Sequence, residues 1–389
     1  MNRNLWLLVL CQGLFLTNNV TFIAINGLVG LSLAPLGWMA TLPVMAYVVG
    51  GALSTGLVAH TQRRFGRKTS FQLGLAVAVL SALLCCYAAY SRNFWLLVTA
   101  TLVAGYYNAN AQLYRFAAAE LALPAFREKA ISLVMAGGLL GAVAGPNLAS
   151  GTRSLSAVPF AGAYLALAGV ALGAMALLAF IHFPPPPPQH ASRGGRPLRE
   201  IMRQPVFIVA ASAGALGYGV MNLLMAATPI AMQVCGLPFS SVAWVLQWHV
   251  IGMFAPGFFT GHLIKRFGTL PVMAVGLALN IGCVLIALSG VEFRQFLLAL
   301  FLLGLGWNFL FTGATTLALT AYRPEEKDAA QGALNFCVFA VLAVSSLASG
   351  VLVTTQGWTL LNIGSLLPLG LTALALGWLG LQQRRLRKA

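Results

Sequence analysis

Val49-Gly50-Gly51-Ala52-Leu53-Ser54-Thr55-Gly56-Leu57, followed by Arg63-Arg64-Phe65-Gly66-Arg67-Lys68, is an apolar, glycine-bearing run that ends in adjacent basic residues and Phe-Gly. The pattern returns 202 residues later as Ile251-Gly252 and then Lys265-Arg266-Phe267-Gly268. Two further matches keep the same order. Gly105-Tyr106-Tyr107-Asn108 lies opposite Gly306-Trp307-Asn308, and Arg127-Glu128-Lys129-Ala130 opposite Glu325-Glu326-Lys327-Asp328-Ala329. A repeat of about half the chain length means two copies of one structural unit.

Composition says where those copies live. Hydrophobic residues make up 59% and charged residues 8% of 389. A soluble domain carries roughly 25% charged residues, so this chain cannot cover a water-facing surface. Bilayer spans need about 20 mostly apolar residues. The sequence divides into twelve predicted helices, near 5–31, 37–59, 69–90, 94–119, 130–151, 157–181, 206–233, 239–263, 270–289, 295–320, 329–352 and 357–381. Pro35, Gly37, Pro124, Pro238 and Pro324 mark joints between them.

The net charge of +16 invites a nucleic-acid reading, but the positions argue against one. With the N-terminus inside, inner joints hold Arg3, Arg63, Arg64, Arg67, Lys68, Arg127, Lys129, Arg193, Arg196, Arg199, Arg203, Lys265, Arg266, Arg323, Lys327, Arg384, Arg385, Arg387 and Lys388. Outer joints hold only Arg92, Arg153 and Arg294. That asymmetry is the positive-inside pattern. It predicts a multi-pass protein of a bacterial inner membrane, both termini cytoplasmic, with the lipid bilayer as its partner. No cleavable signal peptide is expected, because the first apolar run is too long. The six cysteines, Cys11, Cys85, Cys86, Cys235, Cys283 and Cys337, all lie inside apolar runs without metal-ligand spacing and read as packing residues.

Three regions follow: an N-terminal six-helix bundle over 1–182, a cytoplasmic linker over 183–205 and a C-terminal six-helix bundle with a basic tail over 206–389. In the linker, Pro184 to Pro188 form a stiff spacer. The stretch Arg193 to Arg203, carrying Leu198, Ile201 and Met202, reads as a short amphipathic turn against lipid headgroups.

The whole chain resembles the major facilitator superfamily of secondary transporters. Carrying the resemblance are the twelve spans, the long central joint and the loop signature after helices two and eight. In that family the signature runs Gly, three residues, Asp, Arg, any residue, Gly, Arg. Gly261, Lys265, Arg266 and Gly268 match its spacing, as do Arg63, Arg64, Gly66 and Arg67. The acidic position is basic in both copies. Helix five carries Gly137, Gly141, Gly145 and Pro146, which resembles part of the family's antiporter signature; the same spacing also suits close helix packing. The resemblance implies a fold of two pseudo-symmetric six-helix bundles, all α, with helices one, four, seven and ten around a central cavity.

Polar groups inside hydrocarbon turn toward protein or water. On helix one, Gln12, Asn19 and Asn26 recur every seven residues. Helix four offers Asn108, Gln112 and Arg115, and helix ten Asn308, Thr312 and Thr315 beside Trp307. Helix seven adds Tyr218, Asn222 and Met225; helix eight adds Trp244, Gln247 and Trp248. Amides with aromatics suit a partly apolar small-molecule solute with a few hydrogen-bonding groups. Arg115, an intramembrane cation roughly 7 Å from the inner boundary, either snorkels to water or attracts an anionic group. Protons are a candidate coupling ion, through Glu120 or through His249, the one histidine well inside a span.

The resulting reading is a monomeric secondary active transporter working by alternating access. It leans to proton-coupled export of drug-like or metabolite compounds, with an uptake or facilitative carrier for a nutrient, vitamin or metal chelate as the alternative. A non-transporting receptor or scaffold is the reading from a different class. No catalytic constellation, metal cluster or nucleotide-binding signature is read, so neither enzymatic activity nor a cofactor is expected.

Overall fold

The computed structural model describes residues 3–123, 127–183, 195–323 and 326–388. Among them the regular structure is entirely helical. The first span is α1 (Arg3–Leu33). The 3-10 turn at Gly37–Met39 opens the span Gly37–Gln62, which runs into α2 (Leu42–Tyr90); α2 also holds the span Arg64–Tyr90, and its two parts meet at a kink at Gly66. Gly66 has φ 79° and ψ 169°, a region essentially reserved for glycine. Gly268 repeats it with φ 90° and ψ 161°, between α11 (Gly257–Phe267) and α12 (Thr269–Leu288). Arg64 lies over the Phe65 ring and Arg266 over Phe267, each at 5.3 Å. The sequence repeat is thus a repeat of backbone turn and side-chain stacking.

Ten described helices are long and apolar enough to cross a membrane, and eleven when α10 (Phe239–Phe254) and α11, bent by 42°, count as one. The fourth predicted span appears as α3 (Phe94–Ala111) and α4 (Tyr114–Leu121) around a turn at 112–113. Predicted helix five is divided at Gly137 into α5 (Arg127–Ala136) and α6 (Gly138–Thr152). The remaining elements are α7 (Ala161–Ala179), α8 (Leu198–Met202), α9 (Pro205–Val234), α13 (Phe293–Ala318), α14 (Lys327–Thr355) and α15 (Gly357–Lys388). Cys11, Cys85, Cys86 and Cys283 are buried as expected, whereas Cys235 is exposed because α9 ends before it.

Within the first half α1 packs on α6 and α7, and α2 on α3 and α7. In the second half α9 packs on α13, α14 and α15, and α13 on α10 and α12. Glycines set the tightest crossings. A Cβ on Gly50 would strike the Leu102 carbonyl, and one on Gly105 the backbone of Gly50 and Gly51. Their counterparts across the repeat behave alike: Gly252 abuts the Phe301 carbonyl and Gly304 the His249 carbonyl. Small residues at such crossings let van der Waals contact replace the hydrophobic force that lipid cannot supply. α10 meets α6, α14 meets α2 and α1 meets α9 across the two halves.

The basic joints collect on one face. Asn4 donates to the His182 carbonyl (3.1 Å), Lys68 to that of Ala179 and two Arg67 N–H groups to the Glu120 carboxylate. The predicted linker lies partly outside the described residues, and its described end does not rest on lipid alone. Ile201 is fully buried with Phe207, Ala321 and Ala330, while Leu198 and Met202 are exposed. Arg196 donates through its backbone N–H (2.8 Å), Nε (2.9 Å) and Nη2 (2.8 Å) to Glu326, which also accepts from the Arg323 N–H (2.9 Å). Those donors, Arg196 first, hold the buried Glu326 carboxyl well below the usual carboxylate range. Its folded pKa is depressed, so the clip contributes fully above the ordinary carboxylate range and is lost only as pH falls below it. Glu326→Gln is therefore expected to free this segment at neutral pH: trypsin should cut after Arg199 and Arg203 several-fold faster than in the parent, and an unchanged cleavage rate would contradict the clip.

Candidate functional site

A cavity of about 410 Å³ lies between the two halves. The predicted residues Gln12, Asn19, Asn108, Gln112, Arg115, Tyr218, Asn222 and Trp307 all line it. The first half supplies four amides, Gln12, Asn19, Asn108 and Gln112, among apolar residues. Asn19 donates to the Tyr47 hydroxyl (2.9 Å), and Gln112 faces Asn108 Oδ1 at 3.4 Å. Asn222 is anchored from its outer side by Ser345 (2.9 Å) and Ser346 (2.8 Å) on α14. The second half supplies an aromatic wall. Trp307 stacks on Phe311 with 10° between planes at 5.2 Å, and Tyr218 sets its edge against both, at 5.1 and 5.2 Å. Phe254 closes on Trp307 from α10 at 6.1 Å. Such rings offer a flat apolar surface, and the amides opposite offer donors and acceptors.

Other expected residues lie elsewhere. Asn26 accepts from the Tyr164 hydroxyl (2.8 Å) and donates to the Phe22 carbonyl, so it ties α1 to α7. Asn308 accepts from Thr260 (2.6 Å) and donates to the Met253 carbonyl (2.7 Å), tying α13 to α10. Thr312 and Thr315, further along α13, are not among the lining residues. Gln247 accepts from Asn147 (2.8 Å) in the contact between halves, and Trp248 turns outward with its edge on Phe301. Trp244 is likewise exposed. The face of α10 that does reach the cavity carries Leu246, Val250, Met253 and Phe254. Tyr47, Thr55, Phe311 and Asn335 also line it and were not expected. Tyr47 and Asn335 had a legible signal, a hydrogen-bonding side chain inside an apolar run.

The coupling and gating candidates resolve in the same way. Glu120 is held by Arg67, and Gln62 also accepts from that guanidinium (3.1 Å), so Glu120 sits at the basic face outside the cavity. His249 is fully buried between α10 and α13, with Nδ1 2.7 Å from the Leu300 carbonyl, and does not reach the cavity. Arg64, Lys265 and Arg266 are exposed, Gly261 has open space beside it, and the Arg63 side chain lies outside those described. The glycines of helix five meet α1. A Cβ on Gly141 would press into Leu16 and the Thr17 backbone, one on Gly145 into Val20, and Thr21 donates to the Gly145 carbonyl (2.7 Å). Pro146 is buried within α6. Packing accounts for this ridge without reference to transport direction.

The cavity reaches toward the basic face, where Thr55, Arg115, Met135, Gly332 and Asn335 line it. On the opposite face the halves are closed. Thr41 donates to the Ser346 carbonyl (2.6 Å), and a Cβ on Gly350 would strike Thr41. Phe160, with φ 67°, places its ring edge-on to Phe239 of the other half at 5.3 Å. Arg153 covers both rings, at 5.3 and 5.4 Å. A bulky residue at positive φ is an outlier that costs of order 1–3 kcal/mol, and the contacts around it must hold it there. Cation–π and aromatic pairs of this kind contribute about 1–2 kcal/mol together. Phe239→Ala is expected to raise labelling of Met225→Cys from the opposite face about ten-fold; labelling equal to that of the Met225→Cys parent would show that this cluster is not a seal.

Comparison with known proteins agrees with this architecture. A sequence profile of the Major Facilitator Superfamily matches residues 5–248 and 211–389. The chain is 38% identical over 363 residues to the riboflavin transporter RfnT of Brucella anthropi, covering 92% of this chain and 91% of that one. It is 29% identical over 348 residues to the uncharacterized MFS-type transporter YdeG of Bacillus subtilis, covering 85% and 81%. Among solved structures, the human organic anion transporter MFSD10 shares the fold with a TM-score of 0.68 at 16% identity, covering 96% of this chain and all of that one.

Proposed function

Because the chain belongs to the major facilitator superfamily and is a membrane transporter of that type, we propose that it carries riboflavin or a close flavin relative into the cell. The observation that carries this reading is the pairing of a flat aromatic wall, Trp307, Phe311 and Tyr218, with an amide wall, Gln12, Asn19 and Asn108, across one cavity. A fused ring system bearing imide and polyhydroxyl groups needs both surfaces. The relatedness to a riboflavin transporter over nearly the full length supports the same solute class. A cavity of about 410 Å³ is within the range that small-molecule ligands occupy.

The bundles 1–182 and 206–389 would rock about this site, with residues 195–205 travelling with the second through the Arg196–Glu326 clip. We take the basic face as the cytoplasmic one of a bacterial inner membrane, a reading its charge supports, and on that reading the described state is open inward. Import is the direction that relatedness to a riboflavin transporter supports, in place of the export to which helix five pointed. Among the described lining residues there is no Asp, Glu or His, so we read the cavity as one that moves its solute without a side chain of its own that titrates near neutral pH. The monomer is taken as the working unit.

Expression in a riboflavin auxotroph that lacks its own importer is expected to restore growth at low riboflavin, with saturable uptake of labelled riboflavin. A chain that reaches the membrane yet gives no uptake would overturn the reading and favour a receptor role. Trp307→Ala should weaken riboflavin affinity about ten-fold by removing the stacking partner, while Trp248→Ala, on the outer face, should leave it unchanged. Uptake is expected to persist when the proton gradient is collapsed; its abolition would show coupling through groups outside the cavity.

A further inference from the structure

A second groove, of about 740 Å³, lies on the outer surface of the second half, between the start of α12, the end of α13 and the lower part of α15. No lining residue is shared between it and the solute cavity. Its walls are hydrocarbon: Leu270, Ala274 and Leu277 on one side, Ala373 and Leu376 on the other. On α15 the floor is backbone, because a Cβ on Gly377 or Gly380 would meet no atom within 4 Å. Protein does not fill this space. At the basic-face end the lining changes character to Thr269, Thr320, Gln383 and Arg384. Arg384 is exposed, and Arg385 follows it.

Beside the groove α12 and α15 expose Val275, Leu285, Leu371, Leu374 and Trp378, an apolar surface of the kind that a bilayer covers. Water there would leave apolar walls wetted, so hydrocarbon is the stable filling. A purely apolar filler would leave the guanidinium and the polar end without a counterpart. A soluble anion would make no use of the apolar walls. An amphiphile with an acyl chain and an anionic head satisfies both ends at once. We propose that this groove is a binding site for an anionic phospholipid, its chain lying along Gly377 and Gly380 and its phosphate held by Arg384 with Gln383 and Thr269. A basic residue near a membrane surface strengthens attraction to an anionic headgroup by about five-fold in affinity.

The test uses the full chain purified in a neutral detergent. Thermal unfolding is followed while phosphatidylglycerol, phosphatidylcholine of the same acyl chains, or inorganic phosphate is added. Phosphatidylglycerol is expected to raise the midpoint well beyond phosphatidylcholine, with inorganic phosphate having no effect. Gly377→Leu fills the groove and should abolish the difference between the two lipids. Arg384→Gln, at an exposed position that does not threaten folding, should weaken the phosphatidylglycerol effect about five-fold. Arg64→Gln, on the first half's basic joint, should leave it intact. Equal stabilisation by both lipids, an effect reproduced by phosphate alone, or an Arg384→Gln protein that responds like the parent would each overturn the site.

Discussion

Helix backbones that meet through glycine are the constraint on which the rest of this structure depends. In a bilayer, helices gain nothing by hiding apolar side chains from lipid, so association rests on close van der Waals contact. Gly50 against Gly105 joins α2 to α3, and Gly252 against Gly304 joins α10 to α13. Gly141 and Gly145 seat α6 on α1. These contacts tie helices within one half. Between the halves one such glycine contact occurs, Gly350 on Thr41, beside single hydrogen bonds such as Thr41 to Ser346 and Asn147 to Gln247, together with the Arg153, Phe160 and Phe239 cluster. Tight crossings within halves and a few separable contacts between them make two stiff bodies with a seam, and the solute cavity occupies the seam.

The polar inventory sorts by the same logic. An amide inside hydrocarbon must find a partner, and it finds one either on a neighbouring helix or in a wet cavity. Asn26, Asn308 and Gln247 took the first route and serve packing. Gln12, Asn108 and Gln112 took the second. Asn19 and Asn222 do both, each lining the cavity while anchored by a hydroxyl behind it, which fixes the direction in which their remaining capacity points.

Much of the fold was legible before any coordinates, because it rests on features that sequence displays directly. Apolar length gave the spans, and the 202-residue repeat gave the second half from the first, down to matching positive-φ glycines at Gly66 and Gly268. The site was legible only in part. Heptad spacing identifies a helix face but not the depth at which a cavity ends, so Asn26 shared a stripe with Gln12 and Asn19 yet lies against Tyr164. One residue turns a helix by about 100°, enough to put Trp307 in the cavity and Asn308 into the α10 contact. On α10 the conspicuous polar and aromatic residues, Gln247 and Trp248, drew attention from the plain apolar face that lines the cavity. The roles of Glu120 and His249 could not be read from residue type, because each depends on a partner distant in sequence, Arg67 and Leu300.

Rocking of two stiff halves about a shared cavity is most directly tested by a distance across the closed face. Spin labels at the exposed positions Leu155 and Val234, one on each half, report that distance by pulsed electron resonance. Two exchanging distance populations are expected, with riboflavin changing their ratio. A single distance that stays the same with and without riboflavin would contradict the rocking of one half against the other.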